Sequence, residues 1–140
     1  AKYWKEWSDP RWITLVLNNR DLNQVTWEQR IMMGDIQFAA SQELPDFPYA
    51  AFAESIGLRG IRVEKPEQIA DAWDRALASD RPVIIEALTD PDTPTLPPHF
   101  SLKQAKNFTE TILRGDPHEA GIIKQAWKGV VQGFAPNTDK

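Results

Sequence analysis

The sequence predicts an α/β fold: a parallel sheet with helices between its strands and a helical extension at the C-terminus. Three observations predict it. Trp12–Leu17 and Val83–Leu88 are short, almost wholly apolar runs, as expected for strands covered on both faces. Segments between them carry apolar residues at helical spacing. The resulting order, strand, helices, strand, helix, strand, is the alternation that builds parallel sheets through crossovers.

The elements follow in order. Residues 1–10 are aromatic and charged, with Trp4 and Trp7 three apart, and read as the end of a helix. Position 1 is Ala rather than Met, so the start is expected to be a processed, cleaved or cut end that need not be a natural domain boundary. The first strand runs into Asn18 and Asn19. A helix is predicted over 26–33, with Val25, Trp27, Ile31 and Met32 apolar, Glu28 and Arg30 solvated, and Gly34 as its stop. Residues 35–46 read as an irregular loop. Pro48 suits a first helical turn, Tyr49, Phe52, Ala53 and Ile56 recur at helical spacing, and Gly57 ends that helix. Residues 61–63 form a short strand. Pro66 opens a helix with Ile69, Trp73, Ala76 and Leu77 on one face. After the strand over 83–88, the run Asp90-Pro-Asp-Thr-Pro-Thr-Leu-Pro-Pro98 can continue neither helix nor central strand and reads as an extended arm. Ser101 is a predicted N-cap of a helix to about Arg114, broken by Gly115-Asp116-Pro117, and a last helix is expected over 118–131. The organisation is thus 1–88, an α/β domain; 89–100, a proline-rich arm; 101–133, C-terminal helices; and 134–140, a tail.

Composition bounds the function. With 41% hydrophobic and 26% charged residues, the chain is an ordinary globular protein. A net charge of -4 and a pI of about 5.2 argue against a nucleic-acid partner, which would call for a basic face. The absence of cysteine excludes disulfides and thiolate metal sites and fits a reducing, cytoplasmic compartment. No apolar run is long enough to span a bilayer, and no signal peptide is visible. No glycine-rich phosphate loop is present, which disfavours a generic nucleotide-binding domain.

Asn19 is the first candidate for chemistry. Ligands of open parallel sheets sit at the carboxyl ends of strands. An amide oxygen there suits Mg²⁺, with the backbone carbonyl of Asp21 as a second ligand and phosphate oxygens completing the shell. The alternative is an ordinary strand-terminating turn in which the asparagine bonds its own backbone. His99 and His118 lack metal-ligand spacing and read as surface residues. Asp90 and Asp92 read as terminators of structure. Ile122, Ile123, Ala126, Trp127, Val130 and Val131 form a helical stripe beside Lys124 and Lys128, suited to packing on the domain or a partner subunit, or else to a membrane surface.

Several segments together carry a family resemblance. Leu17-Asn18-Asn19 with its polar turn resembles the second half of the thiamine diphosphate signature, which begins Gly-Asp-Gly and ends in paired asparagines. Phe47-Pro-Tyr-Ala-Ala-Phe-Ala-Glu-Ser-Ile-Gly57 resembles the helix that follows it. Gly60-Ile-Arg-Val-Glu-Lys65 and Arg81-Pro-Val-Ile-Ile-Glu86 resemble the next two strands. Pro97-Pro98 with Ser101-Leu-Lys-Gln-Ala-Lys-Asn-Phe108 resembles the C-terminal arm of the pyruvate oxidase and quinone-linked pyruvate dehydrogenase branch. From about Trp12 to Val131 the chain is similar to the C-terminal part of the thiamine diphosphate-binding domain of the acetolactate synthase and pyruvate oxidase superfamily.

That resemblance implies a three-layer sandwich fragment lacking its first strands. It implies coenzyme contacts at Asn19, Asp21, Leu22 and Asn23, with Asn19 and Asp21 as the Mg²⁺ ligands. Asn23 stands where many members carry glycine, and asparagine tolerates left-handed backbone. Gln24 stands where many carry Met or Phe facing the substrate, which implies a more polar pocket or simply a surface glutamine. No Gly-Asp-Gly occurs in the chain, so the family's aspartate ligand is absent. Its ring-activating glutamate lies on another domain, and Glu28, Glu43 and Glu54 do not match that motif. The implied parent is a thiamine diphosphate- and Mg²⁺-dependent enzyme of 2-oxo acids, performing decarboxylation with oxidation or carboligation, with FAD as a further cofactor in the oxidase branch. These residues alone are expected to be inactive. The implied partners are the remainder of the parent, a 2-oxo acid substrate, and further copies in a homo-oligomer that covers exposed sheet edges and apolar helix faces. A peripheral membrane contact is a further reading. The competing hypothesis is a non-catalytic α/β module that docks on a partner protein or membrane through its C-terminal helices. The encoded sequence before Ala1 discriminates them.

Overall fold

The computed structural model describes residues 3–93 and 101–125, excluding the side chain of Leu102. The expectations for the rest of the arm, for His99, for residues 126–131 of the last helix and for the tail lie outside the described residues. The chain divides into two compact units, one of residues 1–19 and 45–89, the other of residues 20–44 and 90–140.

The first unit is a three-stranded parallel sheet in the order β1-β3-β2, formed by β1 (Ile13–Asn18), β2 (Arg59–Val63) and β3 (Val83–Leu88). Ile13 pairs with Val83 and Asn18 with Leu88, while Arg59 pairs with Val83 and Val63 with Ala87. Because side chains alternate along a strand, this register gives the sheet two distinct faces. Ile61, Val63, Val83 and Ile85 share one face and pack on Ala72 and Ala76 of the helix Ile69–Leu77. Gly60, Arg62 and Glu86 share the other, beneath the helix Tyr49–Ser55. Helix, sheet and helix make the predicted α/β layers. A short 3₁₀ turn, Trp4–Glu6, precedes them, and another, Pro66–Gln68, opens the second of these helices.

Two expectations for this unit are corrected. β1 is not covered on both faces, since Leu15 is 46% and Leu17 63% exposed. As an edge strand of the described sheet, it has a neighbour only in β3. The helix Ile69–Leu77 buries its small residues instead of its large ones: Ile69, Trp73 and Leu77 remain substantially exposed. Ala72 and Ala76 allow the helix backbone to approach the sheet, and that turns the bulkier stripe outward.

In chain order the helices are α1 (Asn23–Glu28), α2 (Ala39–Gln42), α3 (Tyr49–Ser55), α4 (Ile69–Leu77) and α5 (Leu102–Leu113), with a further helical stretch over 119–125. α1, α2, α5 and that stretch belong to the second unit. α1 continues into a π-helical turn, Gln29–Met33, which Gly34 ends in left-handed conformation (φ 68°). Such a wide turn leaves poorly satisfied carbonyls. α5 supplies the donors: Asn107 Nδ2 reaches the carbonyls of Ile31 (2.9 Å) and Met32 (2.8 Å), and Thr111 Oγ1 reaches that of Arg30 (2.9 Å). Trp27, Ile31 and Ile122 form the core, with Phe108 stacked on Trp27.

Here too the sequence reading needs correction. Arg30 is buried rather than solvated, and its guanidinium forks onto Asp116, Nε to Oδ2 at 2.9 Å and Nη2 to Oδ1 at 2.8 Å. The loop of residues 35–46 contains α2, whose Gln42 is buried. Met32 faces solvent instead of the core because the π-helical turn resets the helical phase. Ile122 is fully buried within this unit, whereas Ile123 is half exposed. His118 is not a simple surface residue, as its Nδ1 lies 3.0 Å from Asp92 Oδ1.

The Ser101 cap is as predicted. Its hydroxyl accepts from Gln104 N at 3.2 Å, and the Gln104 side-chain oxygen accepts from Ser101 N at 2.8 Å. Ser101→Ala is expected to lower stability by about 1 kcal/mol and Ser101→Asp to restore most of it, read from urea midpoints. Equal midpoints for all three proteins would contradict this.

Candidate functional site

Polar residues gather at the carboxyl end of β1 in the first unit and around the following turn in the second. Each centre is described by itself.

At β1, Asn18 makes the last ladder pair, and its carbonyl accepts from Thr89 N at 3.1 Å. Its side chain is buried on the α3 face. Nδ2 donates to Glu86 Oε1 at 2.8 Å, with the Phe47 carbonyl a longer second acceptor at 3.4 Å. Glu86 is fully buried. Its other oxygen accepts from Ala50 N at 3.0 Å, and Arg62 Nη1 lies 3.2 Å from Oε1. Asn19 is half-buried and is the first residue beyond the ladder. The two adjacent asparagines therefore differ in kind: one faces inward onto a carboxylate, the other stands at a strand tip. The sequence reading did not select Glu86. The available signal was one charged residue inside an otherwise apolar strand.

In the second unit, Arg20 adopts a left-handed backbone conformation (φ 58°) that side chains disfavour. The turn is tied to residues 42–44, with Leu22 N donating to the Gln42 carbonyl and Leu44 N to that of Arg20, both at 2.8 Å. Asp21 is buried. Its carboxylate accepts from Thr26 Oγ1 and from Gln37 Nε2, each at 2.6 Å. The buried Gln37 side-chain oxygen has no hydrogen-bond partner. Leu22 is exposed. Asn23 is buried, with Nδ2 donating to the Pro91 carbonyl at 2.6 Å. Gln24 is exposed on α1, and its Nε2 lies 3.4 Å from Glu28 Oε1.

The donor chemistry fits a hard cation. The candidate ligands are oxygens, an amide on Asn19 and a carbonyl on Asp21, and Mg²⁺ takes a few such protein oxygens together with phosphate. The buried amide oxygen of Gln37, whose Nε2 donates to Asp21, is a further acceptor in the second unit. No group of three or more His, Asp or Glu residues suited to a metal occurs among the described residues. The Asp21 carboxylate is engaged by Thr26 and Gln37, so it holds the turn in shape while its backbone remains the candidate ligand.

A separate cavity of about 320 Å³ opens on the α4 face of the sheet, lined by Leu15, Leu17, Val63, Ile69, Trp73 and Ile85 among others. Its walls are mostly aliphatic and aromatic, with Glu64, Lys65 and Thr89 also in the lining, so it has chiefly the character of a packing surface. Among the described residues no helix is long and apolar enough to cross a membrane.

Residues 9–87 match the family described as thiamine pyrophosphate enzyme, C-terminal TPP binding domain. The chain is 38% identical over 100 residues to YdaP of Bacillus subtilis (strain 168), named as a thiamine pyrophosphate-containing protein, covering 71% of this chain and 17% of that one. It is 32% identical over 83 residues to the mitochondrial acetolactate synthase catalytic subunit of Aspergillus candidus, covering 59% of this chain and 12% of that one. The same subunit from Saccharomyces cerevisiae (strain ATCC 204508 / S288c) gives equal figures. The chain therefore spans less than a fifth of the length of these relatives. No solved structure matches at comparable significance.

Proposed function

The chain belongs to the family of C-terminal thiamine pyrophosphate-binding domains of thiamine pyrophosphate enzymes, and from that premise we propose that it holds the Mg²⁺-diphosphate end of the coenzyme in an enzyme of 2-oxo acids. The observation that carries this reading is the position of Asn19, the first residue past the ladder at the carboxyl end of a parallel strand. Its side-chain oxygen binds Mg²⁺, joined by the backbone carbonyl of Asp21 two residues on. Leu22 and Asn23 line the diphosphate, and Gln24, exposed on α1, meets the substrate.

When bound, the coenzyme supplies the carbon that adds to the 2-oxo acid carbonyl and takes up the electron pair left by CO₂. This chain's residues bind and orient it. Decarboxylation continues to carboligation, as the acetolactate synthase relatives suggest, or to oxidation, in which case flavin accompanies the parent enzyme. The aspartate ligand and the ring-activating glutamate come from the remainder of that parent. The apolar surface of Leu15, Leu17, Ile69 and Trp73 is covered by that remainder or by a second copy.

In the full-length enzyme carrying these residues, Asn19→Ala is expected to weaken Mg²⁺-dependent coenzyme binding at least 10-fold, at the scale of a lost metal contact. Residues 1–140 alone are expected to bind little coenzyme and to release no CO₂ from pyruvate. Calorimetry giving tight Mg²⁺-dependent binding by residues 1–140, or unchanged binding by the Asn19 variant, would count against the reading.

A further inference from the structure

We propose that Glu86 is a positioning residue for the metal-binding strand tip: its buried carboxylate grips the Asn18 amide and so sets where Asn19 presents its oxygen. The inference rests on the reading of Asn19 as a Mg²⁺ ligand and adds a residue that no part of that reading requires.

A carboxylate in the middle strand of a sheet is a costly choice. Packing alone would be served better by an aliphatic side chain, since a buried charge repays its desolvation only when donors surround it. Glu86 has donors from three elements: Asn18 Nδ2 on β1, Ala50 N at the start of α3, and Arg62 Nη1 on β2. Arg62 is itself shared with Glu64, its Nε lying 2.9 Å from Oε1, so the cation is braced from the solvent side.

Geometry explains why the grip falls on Asn18. Glu86 pairs with Val16, and Asn18 with Leu88. Asn18 is therefore the diagonal neighbour of Glu86 on the same face, within reach of a long side chain. Asn18 is fastened twice, by its side chain to Glu86 and by its carbonyl to Thr89 N at 3.1 Å. The residue after it leaves the ladder. A strand end fastened only by its main chain is free to fray; one locked by a buried side chain delivers the next residue at a defined angle. Groups that orient metal ligands from behind commonly govern affinity by 10- to 100-fold. α3 takes part as well, because Ala50 N fixes the second carboxylate oxygen and with it the rotamer that faces Asn18.

The test uses the full-length enzyme, titrating Mg²⁺ at saturating thiamine diphosphate, with melting temperature measured in parallel. Asn19→Ala, the reference for the ligand reading, removes most of the Mg²⁺ affinity. Glu86→Ala and Asn18→Ala each weaken it about 10-fold. The double variant is no weaker than either single one, because both break the same contact. Glu86→Gln keeps an oxygen for the Asn18 amide and recovers most of the affinity while still melting lower than the native enzyme, since its NH₂ meets Ala50 N–H. Should Glu86→Ala fail to fold, Asn18→Ala and Glu86→Gln carry the same comparison. The proposal is overturned if the folded variants melt lower but bind Mg²⁺ within twofold of the native enzyme, or if the two single losses multiply in the double variant. If Asn19→Ala itself binds Mg²⁺ normally, the ligand reading fails and this inference falls with it. A loss in Asn19→Ala without one in the Glu86 variants refutes this inference alone.

Discussion

Asp116→Ala is expected to destabilise the chain by about 3–5 kcal/mol, the cost of leaving one partner of a buried ion pair alone. The Arg30 and Asp116 side chains are almost completely buried. Besides the Arg30 fork, Asp116 accepts from Gln37 N and His118 N, each at 2.9 Å. The Arg30 guanidinium lies 5.0 Å from the centre of the Trp27 ring. Truncation strands that guanidinium in the core, along with two backbone donors. Replacing both partners, as Arg30→Met with Asp116→Leu, removes the charge as well as its need for a partner, and is expected to recover a large share of the loss. Urea denaturation of the two variants beside the native chain decides. A double variant no better than Asp116→Ala would show that the pair matters for more than its charge.

The same carboxylate gives a pH dependence. Burial pushes the Asp116 carboxyl upward, but the Arg30 hydrogen bonds, the Gln37 and His118 N–H groups and the Arg30 charge together outweigh that and hold it below its ordinary value of 3.8. A carboxylate depressed on folding contributes stability that is fully present above its unfolded pKa and is lost as pH falls through the folded one. Stability from this group is therefore constant near neutrality and declines below about pH 4. Asp116→Asn should show a shallower acid decline than the native chain.

Gly60→Val is expected to be the most damaging change in the first unit. A Cβ at Gly60 would collide with the carbonyl oxygen, carbonyl carbon and Cα of Ala50, all backbone atoms of α3. No side-chain rotation relieves such a contact, so α3 must lift. Overpacking of this kind costs about 1–3 kcal/mol, with valine at or above the top of that range and alanine within it. The lift also withdraws Ala50 N from Glu86. Gly60→Ala should thus lower the melting temperature and accelerate amide exchange at Ala50. Native exchange at Ala50 in a destabilised Gly60→Ala protein would show that α3 yields elsewhere.

These sites differ in how far the sequence discloses them. β3 is legible because five of its six residues are apolar and Pro82 precedes them. Gly34 and Gly57 are legible as helix stops because both take positive φ, which glycine alone adopts freely. The Ser101 cap is legible because its partner lies three residues away. The strand tip at Asn18 and Asn19 is legible for the same reason: its signal is local. Arg30 and Asp116 pair across 86 positions and leave no periodic trace, so Arg30 reads as a solvated face. The π-helical turn is equally hidden. Its donors reside on α5, and the extra residue throws Met32 and Met33 outward, against the period a regular helix would keep. The exposed faces of β1 and α4 mislead for another reason, since hydrophobicity records what a surface needs and not what covers it.

The strand order carries a consequence for how the sheet is assembled. Ile13 and Arg59 both wait for Val83, and β1 and β2 have no ladder with each other. A ribosome delivers β3 last, into the gap between two earlier strands that cannot zip together in advance. Pairing of these three strands is therefore long-range, and contacts of that kind meet the cost of loop closure before they are rewarded. During that wait the apolar β1 has no ladder partner among the described strands, the interval in which a chaperone would have most to protect.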